Sequence, residues 1–205
     1  MQFSGRRLPV YLMLDCSGSM AGEPVEACRQ GLKALLSDLR GDPQALETAH
    51  LSVITFSNGA QQVCPLTEVM TFVEPTLNAS GSTDLGAALE VLEKCVDSEV
   101  RKTTPKQKGD WKPLVFVMTD GQPTDNWEPV ADRVKARRMN IVACAAGPGA
   151  DGAMLKRLTE NVVQLSGLEP DQLKAFFKWM SASVKTTSVG VGEVPPPPAG
   201  IVIVP

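Results

Sequence analysis

The chain has 205 residues, 43% of them hydrophobic and 21% charged, which fits one globular domain with or without a tail. A formal net charge of −3 gives no reason to expect nucleic acid, and the stretches VKARR (134–138) and RKTTPKQK (101–108) read as a solvated helix end and a polar loop. No segment approaches the ~20 consecutive apolar residues of a membrane span.

The first predicted element is LPVYLMLD (8–15), a continuous apolar run of the kind buried on both faces of a parallel sheet. Basic residues precede it, as in a secretory leader, but it is short, ends in Asp15 and lacks a small-residue cleavage site. The expectation is therefore a strand in a cytoplasmic protein. A helix follows, with Val25, Cys28, Leu32, Leu35, Leu36 and Leu39 on one stripe, Pro24 in its first turn and Gly41 at its end. HLSVITFSNGAQQVCPLT then reads as a hairpin turning at Asn58-Gly59, an antiparallel pair at a sheet edge. After a polar loop, GSTD opens a helix with Leu85, Ala88, Leu89, Leu92 and Val96 on one side.

KPLVFVMTDG (112–121) repeats the first pattern, an apolar strand ending in an acid. A helix around 128–138, a strand at 140–146, a helix around 151–160, a strand at 161–165 and a helix at 170–185 complete the alternation. The class is α/β: a doubly wound, mainly parallel sheet with one antiparallel edge strand, spanning 6–185. Residues 186–205, with four consecutive prolines, read as an extended or flexible tail whose IVIVP end is β-prone.

Five scattered cysteines, without a C-x-x-C pair, argue against a disulfide framework or a zinc ribbon; four of them sit in apolar patterns as small core residues. His50, the single histidine, has no ligand-spaced neighbour and reads as a surface residue ahead of a strand.

Ligands of open α/β sheets bind outside the carboxyl ends of the strands. Two strands deliver acids to that edge, and the SGSTDLG loop reaches it as well. The convergent oxygens are those of Asp15, Ser17, Ser19, Thr83 and Asp120. Oxygen donors with two carboxylates suit a hard divalent cation, Mg²⁺ first and Mn²⁺ as a substitute. Gly18 and Gly121 would let the loops turn closely. Taken singly, Ser17, Ser19, Thr83 and Asp84 read as helix caps and Asp120-Gly121 as a turn; the joint placement favours the ion. Asp84 could support the site or cap a helix, Asp125 reads as a turn or cap residue, and Trp127 could belong to a docking surface. Trp111 and Trp179 read as core or edge packing.

DCSGS (15–19), GSTDLGAAL (81–89) and TDGQPTD (119–125) together resemble the von Willebrand factor A family, over about residues 6–183. Its metal-ion-dependent adhesion site uses those three loops. RRLPVYLMLDCSGSM, KGDWKPLVFVMTDGQPTD and FFKWMSASV look like bacterial TerY-type proteins of tellurium-resistance gene sets, similar members of which are associated with a PP2C-type phosphatase and a protein kinase. The zinc module of some relatives has no cysteines here after Cys144. The resemblance implies that Ser17 and Ser19 coordinate Mg²⁺ directly and Thr83 directly or through water, with Asp15 and Asp120 acting through waters or hydrogen bonds. A partner's Asp or Glu would complete the coordination, in a non-enzymatic adaptor. Two other readings stand beside it: a Mg²⁺-dependent phosphohydrolase with Asp15 as nucleophile, and a scaffold in which the ion only staples loops. Against the first, phosphatases with this topology resemble D-x-D, and here the second acid is Ser17. No phosphate-binding G-x-x-x-x-G-K-[ST] is present.

Overall fold

The computed structural model describes residues 5–137, 139–190 and 194–205. In chain order, the elements are β1 (Leu8–Asp15), α1 (Glu23–Arg40), α2 (Pro43–Thr48), β2 (Ala49–Ser57), β3 (Gly59–Glu68), α3 (Leu85–Glu99), β4 (Leu114–Thr119), α4 (Glu128–Lys135), β5 (Asn140–Ala146), α5 (Gly152–Leu155), β6 (Val162–Leu165), α6 (Pro170–Ser188) and β7 (Ile201–Ile203). The strands form one sheet in the order β3-β2-β1-β4-β5-β6-β7. The β1–β2, β1–β4, β4–β5 and β5–β6 pairs are parallel, and the two outermost pairs are antiparallel.

All of β1 is buried because helices cover both faces of the sheet. Its alternate residues Val10, Leu12 and Leu14 join a core with Leu32 and Leu36 of α1 and Phe176 and Met180 of α6. Tyr11 and Met13 point the other way, into a second core with Leu89 of α3 and Val130 of α4. From β1 the chain runs outward to β2 and then returns to β4 on the other side. Strand order therefore reverses between β1 and β4, where the fold leaves a crevice at the carboxyl ends. Leu14 lies beside Met118, which brings Asp15 and Asp120 to that crevice together.

The sequence-based expectations need five amendments. The short helix α2 was not foreseen; Asp42 caps it by accepting from the Ala45 N–H at 2.8 Å. The helix expected around 151–160 is regular only over α5 and continues to Thr159 as hydrogen-bonded turns, while α6 runs past 185 to Ser188. His50 lies within β2, half-buried, and not ahead of it. The reading of 186–205 as a flexible end is corrected over its last residues, since β7 adds a second antiparallel edge. Ile201 is buried, the Trp179 indole N–H donates to the Pro195 carbonyl at 2.9 Å, and the Val204 N–H donates to the Val162 carbonyl at 2.9 Å. Gly152 makes room for this seat, because a Cβ there would lie 2.7 Å from Val204 Cγ2. None of the described helices is long and apolar enough to cross a membrane.

Candidate metal centre

Asp15 ends β1 and is 1% exposed. Both of its carboxylate oxygens are engaged: Oδ1 accepts from the Ser17 N–H at 2.8 Å and Oδ2 from the Thr119 hydroxyl at 2.7 Å. It thereby fixes the loop that carries the two serines. Ser17 stands at the N-cap of the short 3-10 turn Gly18–Met20, but its side chain makes no capping bond. Instead its Oγ lies 3.0 Å from Ser19 Oγ and 3.5 Å from Asp120 Oδ1, and Ser19 Oγ donates to Asp120 Oδ1 at 2.9 Å. Three oxygen-bearing side chains from two loops therefore share one point at the crevice.

Asp120 follows β4 and is 6% exposed. Burial raises its pKa above the ordinary carboxylate value; the Ser19 hydrogen bond works against that rise, and the neighbouring Asp15 charge adds to it. This carboxylate lacks compensating positive charge, which is what a cation would supply.

Thr83 is also buried at 6% exposure, yet its hydroxyl has no hydrogen-bond partner among the described residues. It faces the turn after Asp120: a Cβ built on Gly121 would stand 3.7 Å from Thr83 Oγ1. The structure thus joins Ser17, Ser19 and Asp120 by direct contact, sets Asp15 behind them, and leaves the Thr83 hydroxyl adjacent and free. Among the described residues, no group of three His, Cys, Asp or Glu side chains could hold a metal. Any ion here would depend on hydroxyl donors, and a hydroxyl left without a protein partner but open to the crevice, beside an under-compensated acid, fits a hard divalent cation.

Asp84 and Asp125, each read as a support or cap residue, divide those roles between them. Asp84 occupies the N-cap position of α3 without capping it. Its carboxylate accepts from the Gly59 N–H at 2.7 Å, the Ser82 hydroxyl at 3.1 Å and the Thr124 hydroxyl at 2.8 Å, tying the hairpin tip to the site loops. These bonds, led by the Gly59 N–H, hold its pKa below the ordinary value. The cap comes from Asp125, whose oxygens accept from the Gly86 and Ala87 N–H groups at 3.0 and 2.9 Å. Thr124 also accepts from the Thr83 N–H at 3.0 Å and so fixes that residue's backbone. Thr119 and Thr124 both lie inside the TDGQPTD motif, so the signal was present, but their partners depend on strand register.

Trp127, considered for a docking surface, is 5% exposed and packs in the second core. Gly18 and Gly121 do not adopt positive φ among the described residues. The glycine that the site requires is Gly81, at φ 79°, where a Cβ would meet the Asn58 side chain at 2.5 Å.

A family model described as von Willebrand factor type A domain matches residues 10–179. Among solved structures, proximal thread matrix protein 1 from the mussel byssus, in a form described as having a zinc-occupied MIDAS motif, is 18% identical with a TM-score of 0.64, over 87% of this chain and 48% of that one. A von Willebrand factor type A protein from Catenulispora acidiphila is 19% identical with a TM-score of 0.64, over 88% and 43% of the two chains. The ArnB paralog VWA2 from Sulfolobus acidocaldarius is 18% identical with a TM-score of 0.61, over 88% and 46%. The chain thus spans about half the length of these structures. At such identities the structures attest the fold, while the family match takes in most of β1, every element from there through β6 and all three site loops: the chain belongs to the von Willebrand factor type A domain family.

Proposed function

We propose that the crevice is a metal-ion-dependent adhesion site and that the protein is a recognition module, not an enzyme. Domains of this family in general mediate protein–protein contact. Ser17, Ser19 and Thr83 would hold a divalent ion through their hydroxyls, with Asp15 and Asp120 orienting them. Bound Mg²⁺, or Mn²⁺ in its place, supplies an electrophilic centre with a position open to an outside carboxylate. The zinc-occupied motif of the mussel protein supports an ion at this place in the fold without deciding which ion. The observation that carries the reading is the meeting of Ser17, Ser19 and Asp120 oxygens within 2.9–3.5 Å, beside the unpartnered Thr83 hydroxyl.

A phosphohydrolase is disfavoured by the same geometry. Each Asp15 oxygen already accepts a hydrogen bond that orients it toward the protein, and the residue is 1% exposed, so the carboxylate is poorly presented to a phosphorus atom. His50 pairs with Glu68 at the start of β2, at the opposite end of the sheet from the crevice. The partner would be a protein that offers an Asp or Glu. The resemblance to TerY-type proteins makes a PP2C-type phosphatase and a protein kinase the first candidates, in a cytoplasmic tellurite- or stress-response assembly.

Calorimetric titration with Mg²⁺ and Mn²⁺, followed by pull-down of those candidates with and without EDTA, tests the reading. Binding of ion by wild type, its loss in Ser17→Ala and release of the partner by EDTA are expected. Partner capture indifferent to chelator and to Ser17→Ala would leave the ion as a staple only. Phosphate release from a model ester, abolished in Asp15→Asn, would establish the hydrolase instead.

A further inference from the structure

Residues 100–113 connect α3 to β4 by a path longer than most links between neighbouring elements. They carry Arg101, Lys102, Lys106, Lys108 and Lys112, all exposed, and a single carboxylate, Asp110. That acid offers the loop's cations little charge. Its side chain is 2% exposed and accepts from Arg7 Nε and Nη2 at 2.9 and 2.6 Å and from the Arg101 N–H at 2.8 Å. None of the five cations has an ion-pair partner among the described residues. Elsewhere several surface cations are matched, Arg133 with Glu93, Arg137 with Asp97, Arg157 with Asp132 and Lys185 with Asp38, and the exposed lysines without an ion pair, Lys33, Lys94, Lys174 and Lys178, are spread over three helices.

Unpaired surface lysines are usually only solvated, and a floppy loop would satisfy that description. This loop is held. Thr104 and Gln107 exchange backbone hydrogen bonds at 2.9 and 3.3 Å, the Gly109 N–H donates to Thr103 Oγ1 at 3.0 Å, and the Asp110 N–H donates to the Arg101 carbonyl at 2.9 Å. From the N-terminal side, Arg6 donates to the Gly109 and Asp110 carbonyls at 3.0 and 3.1 Å, with its guanidinium 3.9 Å above the Trp111 ring. The neck closes only around glycine, since a Cβ at 109 would lie 2.5 Å from the Thr103 nitrogen. Ordering a loop costs backbone entropy, and crowding like charges on it is unfavourable. A merely soluble connection calls for neither.

We propose that residues 101–108 are a second docking surface, pre-ordered to bind an acidic polypeptide segment, at the end of the sheet opposite the crevice. An acidic protein fits better than nucleic acid because the nearby aromatic ring, Trp111, is covered by Arg6 and not open for base stacking. It fits better than a membrane because none of the exposed large hydrophobic side chains, among the described residues, lies in this loop. The surface is independent of the metal site, so the two could hold different partners at once.

The test uses the full chain and a labelled synthetic peptide of alternating Glu and Ser, with a Gln-and-Ser peptide as control, at low and high salt. Binding of the acidic peptide alone, weakened by salt, unchanged by EDTA and about tenfold weaker in Lys102→Ala/Lys106→Ala/Lys108→Ala, is expected. Lys174→Ala/Lys178→Ala should bind as wild type does. Gly109→Ala keeps every charge but breaks the neck, and should weaken binding several-fold. Equal binding of the two peptides, or no effect of the triple change, overturns the proposal. Tighter binding of duplex DNA or of phosphatidylserine vesicles, lost in the triple variant, overturns the choice of partner. Full affinity in a folded Gly109→Ala variant overturns the pre-ordering.

Discussion

Asp120 shows how the crevice sets function against stability. With burial raising its folded pKa above the ordinary 3.8, the folded chain holds more protons than the unfolded chain between those two values. Without an ion, stability is therefore lost as pH rises through the raised pKa. Asp120→Asn is expected to have a higher urea midpoint than wild type at pH 7 in EDTA, and to bind no Mg²⁺ by calorimetry; a lower midpoint would show that the charge is already compensated. The cysteines give an independent check on burial. Desolvation pushes Cys16 and Cys95 up to about 11 and Cys28 up to about 12, and Cys144 is raised too, whereas Cys64 is only half-buried. Iodoacetamide at pH 8 should modify Cys64 first, and the other four only after denaturation, as read by peptide mass spectrometry.

At the scale of elements, two contacts join parts that are distant in the chain. Asp125, from the loop after β4, caps α3, so the second and third site loops are braced through one helix end. Asp125→Ala leaves the Gly86 and Ala87 N–H groups without that acceptor and should cost about 1 kcal/mol in urea unfolding. Asp84→Ala should leave the helix capped and loosen the hairpin tip instead, seen as faster amide exchange at Gly59. The other contact is the seat of β7 on β6. Gly152→Val would drive its branched side chain into Val204, and the expected result is faster proteolysis within residues 194–205 with α6 still protected.

For the molecule as a whole, ion binding and folding should be linked. At Mg²⁺ a hundredfold above its dissociation constant, the unfolding free energy should rise by about 2.7 kcal/mol, and Ser17→Ala should show no rise. Binding that leaves the midpoint unchanged would mean that the unfolded chain holds the ion equally well. The molecule also places its two candidate binding features at opposite ends: the hydroxyl-lined crevice at the carboxyl ends of the strands, and the ordered cationic loop at their amino ends. An adaptor that must hold two partners benefits from that separation.

Much of this architecture was legible in the chain. Continuous apolar strands alternating with striped helices define a parallel α/β sheet because side-chain period follows backbone geometry, and Asn58-Gly59 marks its hairpin. Asp15, Ser17, Ser19, Thr83 and Asp120 could be named because strand ends are readable and sheet ligands gather there. Which of them touch was not readable, since contact depends on the β1–β4 register and on loop paths closed by distant groups such as Thr119 and Thr124. The same holds for Trp127, whose burial is set by packing against α3, and for the last strand, whose place depends on Gly152 and Trp179 far back in the chain. Local pattern fixes what an element is; only the packed fold decides what it meets, because partners far apart in sequence are chosen by shape and hydrogen bonding in three dimensions.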